Sequence, residues 1–150
     1  PGLLAEVIAR CVRAKAAVVA ADERDEGGVR EILNYGHTVA HGIEAASRFR
    51  ASHGRAVAQG MRAEARIAAA LGLCDQGLVE AQDALLDLYR LPGRLPVVGV
   101  EAVLALLPAD KKSRGGVVRW VLPRTVGRAD TGNLVPAATV ESAVRAILAQ

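Results

Sequence analysis

Aromatic residues are scarce in this chain of 150 residues, where Phe, Trp and Tyr together make up 3% of the sequence. Proteins that bind nucleic acid usually combine a basic face with aromatic side chains that stack on the bases. The net charge here is only +3, and the acids and bases behind it are scattered along the chain. We therefore expect no nucleic-acid partner.

Cysteine and long apolar runs are also scarce. Cys11 and Cys74 lie far apart, and neither belongs to a C-x-x-C pair. This usage predicts reduced thiols in the core of a cytoplasmic protein and disfavours a cysteine zinc knuckle. No apolar run reaches the roughly 18 residues of a membrane helix, and the N-terminus lacks the pattern of a signal peptide. We expect neither a membrane partner nor a targeting segment.

Hydrophobic residues are plentiful, at 51% of the sequence, and they recur at the spacing of amphipathic helices. A chain of this size and composition can form a single domain around one core. The pattern predicts a mainly α fold, a multi-helix bundle with one small β-hairpin in the segment 115–133 near the C-terminal end. The predicted helices cover residues 3–20, 28–49, 54–71, 76–90 and 100–107, and a last helix follows Thr139 as its N-cap.

A polar stripe follows one side of the predicted helix 28–49. At 100° per residue, its five members fall within an arc of about 80°: Arg30, Asn34, His37, His41 and Glu44. The helix is expected to pack by the opposite side, which carries Ile32, Val39, Ile43 and Ala46. A solvated face is usually rich in Lys and Glu, whereas these side chains make directional hydrogen bonds or bind metals.

The histidines of the stripe suggest a metal or substrate site. Side chains at i and i+4 lie side by side on a helix, so His37 and His41 could reach one ion, and His53 could return from the next helix as a further ligand. Zinc proteases with this spacing need Glu directly after the first histidine, where this chain has Thr38. The alternative is a solvated face with three ordinary histidines.

Lys15 interrupts the apolar side of the first helix, which carries Leu4, Ile8, Cys11 and Val19. A lysine in such a position commonly extends to solvent along its methylenes. If the first two helices are neighbours, Lys15 and Arg30 would instead flank the histidines and bind a carboxylate or phosphate. Asp110-Lys111-Lys112 forms a second cationic spot, or else a solvated turn.

Three segments closely resemble the C-terminal half of 3-dehydroquinate synthase: KAAVVAADERDEGGVREILNYGHTVAHGIE, HGRAVAQGM and DKKSRGGVVRWVLP. The most specific part is the R-x-x-x-N-x-x-H-x-x-x-H series with a His-Gly pair some dozen residues later. The resemblance spans nearly the whole chain. It implies a dehydroquinate synthase-like C-terminal domain from a two-domain enzyme that converts the sugar acid phosphate DAHP to 3-dehydroquinate in the shikimate pathway and releases phosphate.

The same resemblance implies cofactors and residue roles. His37 and His53 would bind Zn²⁺ (or Co²⁺), and NAD would bind to an N-terminal domain absent from this chain. His41 would contact the substrate phosphate and assist proton transfer, while Lys15, Arg30 and Asn34 would bind hydroxyls and carboxylate. One of Lys111 and Lys112 would add an anion contact. The implied partners are the sugar acid phosphate, the N-terminal domain and, in the full-length protein, a second subunit of a homodimer.

The chain departs from the family pattern at several points. The segment with the third metal ligand, a glutamate, is missing, and Glu6 lies too close to Lys15 to replace it. Arg55 stands where the family has Glu, and one extra residue lies around Gly27-Gly28. We expect a fragment that binds zinc weakly and is inactive alone. The alternatives are a related sugar phosphate cyclase such as 2-deoxy-scyllo-inosose synthase, a non-catalytic binding module that keeps the fold, and a metal-independent helical interaction domain.

Overall fold

The computed structural model describes residues 2–24, 28–107 and 118–149. The chain divides into two compact units, Pro1–Asn34 and Tyr35–Gln150. None of the helices in these described ranges combines the length and apolar character needed to cross a membrane.

The first unit consists of helix α1, Leu3–Ala21, and a short 3-10 helix, Val29–Asn34. Asp22 links the two, because its carboxylate accepts the backbone N–H of Val29 at 3.1 Å. The guanidinium of Arg30 donates to the carbonyl of Glu23 at 3.3 Å. Both contacts hold the start of the 3-10 helix next to the end of α1.

The predicted helix 3–20 is confirmed, but its predicted apolar side is not buried. Leu4 is 72% exposed and Ile8 is 53% exposed, and Lys15 and Cys11 are exposed as well. The expectation that Cys11 is a core residue is therefore wrong. The exposure of Lys15 fits the common outcome for a lysine in such a position. Amphipathic spacing identifies the apolar side of a helix but does not supply the element that would cover it. Cys74, the second thiol, is half-buried.

The second unit holds five helices and one hairpin among the residues that the structure describes. Their bounds are α2 His37–Ala46, α3 His53–Ala70, α4 Gln76–Leu88, α5 Val100–Leu106, β1 Trp120–Thr125, β2 Arg128–Asn133 and α6 Ala137–Leu148. Helix α3 is central and contacts α2, α4, α6 and β1, while α5 contacts α2 and α6. This arrangement confirms the mainly α fold with a hairpin near the C-terminal end.

The core of this unit is formed by aliphatic side chains at the helical and strand periods. Val39 and Ile43 of α2 are fully buried, as predicted for that side of the helix. Strand β1 pairs antiparallel with β2, and Trp120 of β1 lies opposite Asn133. The fully buried aliphatic side chains from the other elements include Ile67, Val103, Leu122 and Val144.

Two predicted helix starts are wrong. The predicted helix 28–49 is broken at Gly36, whose φ of +83° lies in the left-handed region, so α2 begins at His37. Arg30 and Asn34 therefore do not share a continuous helix with the histidines, and the angles predicted across the break do not apply. The last helix starts at Ala137 after Pro136, not after Thr139. The carbonyl of Pro136 accepts the N–H of Thr139 at 3.0 Å, which places Thr139 inside the first turn.

Candidate functional site

All three histidines of the chain meet where α2 and α3 begin. The ring centroids of His37 and His41 lie 5.7 Å apart, one turn of α2 separating the two residues. His53, the first residue of α3, lies 5.1 Å from His37 and 6.5 Å from His41, again between ring centroids. The predicted convergence of the three imidazoles is therefore confirmed. We call these three residues the histidine cluster.

A compact loop returns the chain so that His53 reaches α2. Arg48 and Phe49 have φ values of 54° and 58°, which reverse the backbone direction. Ser47 is buried and stabilises this reversal, because its hydroxyl donates to the carbonyl of Glu44 at 2.9 Å and accepts the N–H of Ala51 at 3.1 Å. The loop therefore brings the start of α3 back beside α2.

The start of α2 packs closely against α3 through Gly36 and Gly60. A Cβ atom on Gly60 would overlap the carbonyl oxygen of Gly36. A Cβ atom on Gly36 would lie 2.8 Å from the carbonyl oxygen of Val57, and its φ of +83° also favours glycine. The backbones of α2 and α3 therefore approach each other at Gly36 and Gly60 too closely to admit a side chain. Gly60 was not singled out, because its partner is 24 residues away in the sequence.

A buried carboxyl group caps α2 from the side of α3. Glu64 is fully buried, and its Oε2 accepts the backbone N–H of Gly36 at 2.5 Å. Burial raises the pKa of Glu64 from 4.5 to about 8, and hydrogen bonds from the backbone N–H groups of Gly36, Val39 and Thr38 oppose that shift. Backbone N–H groups at the start of a helix have no acceptor within that helix, so the Glu64 carboxyl group supplies an acceptor to the start of α2.

Sequence reasoning missed Glu64, although a signal existed. It lies four residues after Gly60 and three before the buried Ile67, so it falls on the apolar side of α3. A lone glutamate on such a side predicts a buried polar contact. Its partners at the start of α2 could not be identified from that spacing alone.

Tyr35 adds a second fixed point just before α2. Its hydroxyl donates to Gln82 Oε1 of α4 at 2.6 Å and lies 3.2 Å from the carbonyl oxygen of Met61. Burial, with the nearby charge of Glu64 as the second cause, raises the pKa of Tyr35 above its ordinary value. The phenol therefore stays protonated near neutral pH and keeps its role as a donor.

The hydrogen bonds of His37 and His53 favour one tautomer in both rings. Nδ1 of His37 lies 3.3 Å from the carbonyl oxygen of Tyr35, and Nδ1 of His53 lies 3.0 Å from Oε1 of Glu44. A carbonyl or a carboxylate only accepts, so each contact places the hydrogen on Nδ1. In neutral rings of this tautomer the lone pair lies on Nε2, the nitrogen that would bind a metal.

The donor chemistry of this pair suits zinc, which binds imidazole nitrogen in tetrahedral sites. Within residues 2–24, 28–107 and 118–149, however, no group of three or more His, Cys, Asp or Glu side chains is arranged to hold a metal ion. His37 and His53 would fill two positions of such a site.

The other predicted site residues belong to different parts of the chain. Lys15, Arg30 and Asn34 lie in the unit Pro1–Asn34, with Lys15 exposed on α1 and the other two on the 3-10 helix. Lys111 and Lys112 lie outside the described residues. The structure brings together His37, His41 and His53, and the contribution of the cationic residues stays a prediction.

Comparison with known proteins identifies the family. The family model described as 3-dehydroquinate synthase C-terminal matches residues 1–113. The chain belongs to this family. Among curated 3-dehydroquinate synthases, that of Synechococcus sp. is 44% identical over 97% of this chain, and that of Gloeobacter violaceus is 47% identical over 89%. The chain spans about 40% of the length of the Synechococcus protein and 37% of the Gloeobacter protein.

Solved structures of sugar phosphate cyclases share the fold of this 3-dehydroquinate synthase domain. One is a 2-deoxy-scyllo-inosose synthase in complex with carbaglucose-6-phosphate, NAD⁺ and Co²⁺. The match covers 93% of this chain and 39% of the chain of that enzyme, at 26% sequence identity and a TM-score of 0.78. The 2-epi-5-epi-valiolone synthase ValA of Streptomyces hygroscopicus, with NAD⁺ and Zn²⁺ bound, matches 98% of this chain and 41% of its own at 24% identity, with a TM-score of 0.80. At that identity, the second match supports the fold alone.

Proposed function

We propose that this chain is the metal- and substrate-binding part of a 3-dehydroquinate synthase, which converts DAHP to 3-dehydroquinate and releases phosphate. The observation that carries the proposal is the histidine cluster, formed where α2 and α3 begin in a chain of this family. Three imidazoles within 6.5 Å of one another, counted between ring centroids, provide both metal ligands and a group for proton transfer.

In this proposal His37 and His53 bind Zn²⁺ (or Co²⁺) through Nε2. When bound, the ion would supply Lewis acidity to the substrate hydroxyl that is oxidised. The fixed tautomers support this assignment, because both rings keep the Nδ1 hydrogen engaged with an oxygen of the protein. The structural neighbour that holds Co²⁺ supports a metal in this fold, and the remaining ligand would come from the preceding part of the enzyme.

His41 is the proton-transfer residue in this proposal. It lies one helical turn from His37, and its ring is 5.7 Å from that ring, so it can contact the same substrate without binding the metal. An imidazole can both donate and accept a proton, which suits general acid–base catalysis. We assign to it contact with the departing phosphate and the accompanying proton transfer.

The cationic and amide residues of the first unit bind the acidic substrate in this proposal. Lys15, Arg30 and Asn34 offer the ammonium, guanidinium and amide donors that carboxylate, phosphate and hydroxyl groups require. One of Lys111 and Lys112 adds a further cation. The support for these roles is their place in the family motif, in a region where the family model matches the chain.

Activity in this proposal requires a second part of the enzyme. The chain spans about 40% of the length of its Synechococcus relative, and the missing part would include the domain that binds NAD. NAD, when bound there, would supply the reversible oxidation of the substrate. We expect the 150-residue chain to be inactive alone and the complete enzyme to be a homodimer.

A chimeric enzyme tests this function. Residues 1–150 would replace the matching part of the Synechococcus protein, and phosphate release would be measured with NAD, Zn²⁺ and DAHP. We expect release from DAHP but not from glucose 6-phosphate, which lacks the carboxylate, and at least a hundredfold loss of release in the His41→Ala chimera. A folded chimera that binds NAD and Zn²⁺ but releases no phosphate from DAHP would overturn the proposal.

The main competing function is that of 2-deoxy-scyllo-inosose synthase, because one solved structure of that enzyme shares the fold. The sequence favours dehydroquinate synthase, since identity is 44% to the Synechococcus enzyme and 26% to the 2-deoxy-scyllo-inosose synthase. The same assay separates the two functions, because phosphate release from glucose 6-phosphate alone would favour the competitor.

A further inference from the structure

Glu44 belongs to the predicted polar stripe but has no role in the site proposed so far. It lies in the last turn of α2, and its side chain is only 14% exposed. A carboxylate is unfavourable in that position, because burial removes solvent and the C-terminal end of a helix carries partial negative charge. A specific partner is needed to offset both effects.

The partner is the imidazole of His53. Oε1 of Glu44 lies 3.0 Å from Nδ1 of His53, although nine residues and a change of helix separate the two. The backbone of Glu44 is fixed as well, because its carbonyl accepts the hydroxyl of Ser47 at 2.9 Å and the N–H of Phe49 at 2.7 Å. The loop that returns the chain to α3 therefore holds both partners of this contact.

This contact determines which nitrogen of His53 is free. The carboxylate requires a hydrogen on Nδ1, and the opposite tautomer would bring two lone pairs together. The side chain of His53 is 57% exposed, so neighbouring side chains restrict its ring only in part. Carboxylate partners of this kind orient histidine ligands and increase their basicity in metal sites.

We propose that Glu44 is a positioning residue of the metal centre, which holds His53 in the Nδ1–H tautomer and directs its Nε2 to the ion. This inference rests on the proposed role of His53 as a ligand. It adds a residue of α2 that does not itself touch the metal.

The test compares Glu44→Ala with the control Glu80→Ala in the 150-residue chain. Glu80 is an exposed glutamate on α4, outside the histidine cluster. Calorimetry with Zn²⁺ should give a 10- to 100-fold weaker Kd for Glu44→Ala and no change for Glu80→Ala. Glu44→Met keeps the length of the side chain without its acceptor and should match Glu44→Ala. Glu44→Gln keeps an acceptor and should fall between wild type and Glu44→Ala.

A second readout needs no metal and separates positioning from a merely structural role. Long-range ¹H–¹⁵N spectra of the metal-free chain should show the Nδ1–H tautomer of His53 in the wild type and in Glu44→Gln. In Glu44→Ala and Glu44→Met the population should move toward the Nε2–H tautomer.

The outcomes separate this inference from the function on which it rests. Suppose that the wild type binds zinc. If Glu44→Met then binds zinc with the same affinity, or keeps the same His53 tautomer, the role of Glu44 is overturned and the proposed function still stands. No zinc binding in the wild type would overturn the proposed metal pair, and the role of Glu44 with it.

Discussion

The carboxyl group of Glu64 makes the stability of the second unit depend on pH in an unusual direction. Its folded-state pKa of about 8 lies above the ordinary value of 4.5. Between these values the folded protein keeps a proton that the unfolded chain has released, so unfolding releases a proton and becomes easier as pH rises. Below pH 4.5 both states are protonated, and above pH 8 both are ionised, so the dependence is confined to this window.

The size of the effect follows from the shift. One pKa unit corresponds to about 1.36 kcal/mol, so the full window changes the free energy of unfolding by up to about 5 kcal/mol. The stability of a domain is typically about 5–15 kcal/mol. Ionisation of this one buried group would therefore remove a large part of the stability of the unit.

Replacement of Glu64 by Gln tests this reasoning. The amide keeps an acceptor for the N–H of Gly36 but does not titrate. Urea unfolding from pH 4 to pH 9 can be followed by the fluorescence of Trp120, the only tryptophan of the chain, which is buried in β1. The difference in unfolding free energy between wild type and Glu64→Gln should fall by up to about 5 kcal/mol as pH rises.

The two proteins differ only at residue 64, so the difference between the two curves isolates Glu64. Glu80→Gln, on an exposed residue of α4, serves as the control and should follow the wild type. Parallel curves for wild type and Glu64→Gln would refute the raised pKa. Wild-type stability that increases with pH relative to Glu64→Gln would mean that the helix end stabilises an ionised carboxylate.

Three further predictions concern the contacts around α2. Gly60→Ala should lose about 1–3 kcal/mol or more of stability in urea unfolding, because its Cβ would overlap the carbonyl of Gly36. Gly54→Ala in the same helix meets no atom within 4 Å, so an equal loss there would contradict this explanation. Tyr35→Phe should lower the free energy of unfolding by about 1–2 kcal/mol, because it removes the hydrogen bond to Gln82. Tyr89→Phe, at an exposed tyrosine, should not change stability. Equal melting curves for the two variants would refute the role of this bond. His41→Ala should leave the zinc affinity of the chain unchanged in calorimetry, and a tenfold loss would make His41 a ligand.

The fold was largely predictable because helical periodicity is a local property. Helices α3, α4 and α5 and the hairpin formed close to their predicted positions. The break at Gly36 was not predictable from local pattern, because a glycine inside a helix costs only about 1 kcal/mol. The left-handed turn there depends on Glu64 and Gly60, which contact it from α3.

The histidine cluster was predictable for a different reason. The spacing of His37 and His41 places them on one side of any helix that contains both, and the break before His37 does not change that. The position of His53 was harder to predict, because it depends on the loop before α3. That loop reverses direction at Arg48 and Phe49, which adopt the left-handed conformation without a local preference for it. The roles of Glu44 and Glu64 could not be predicted, because the partner of Glu44 lies on α3 and the partner of Glu64 lies at the start of α2.

Zinc binding to the metal-free chain tests the central claim most directly. Calorimetry should give a Kd in the micromolar range for the wild type and for His41→Ala, and at least tenfold weaker binding for His37→Ala and His53→Ala. This pattern is expected because His37 and His53, at the starts of α2 and α3, would present Nε2 to one ion. Equal affinities in all four proteins, or no binding in the wild type, would contradict it.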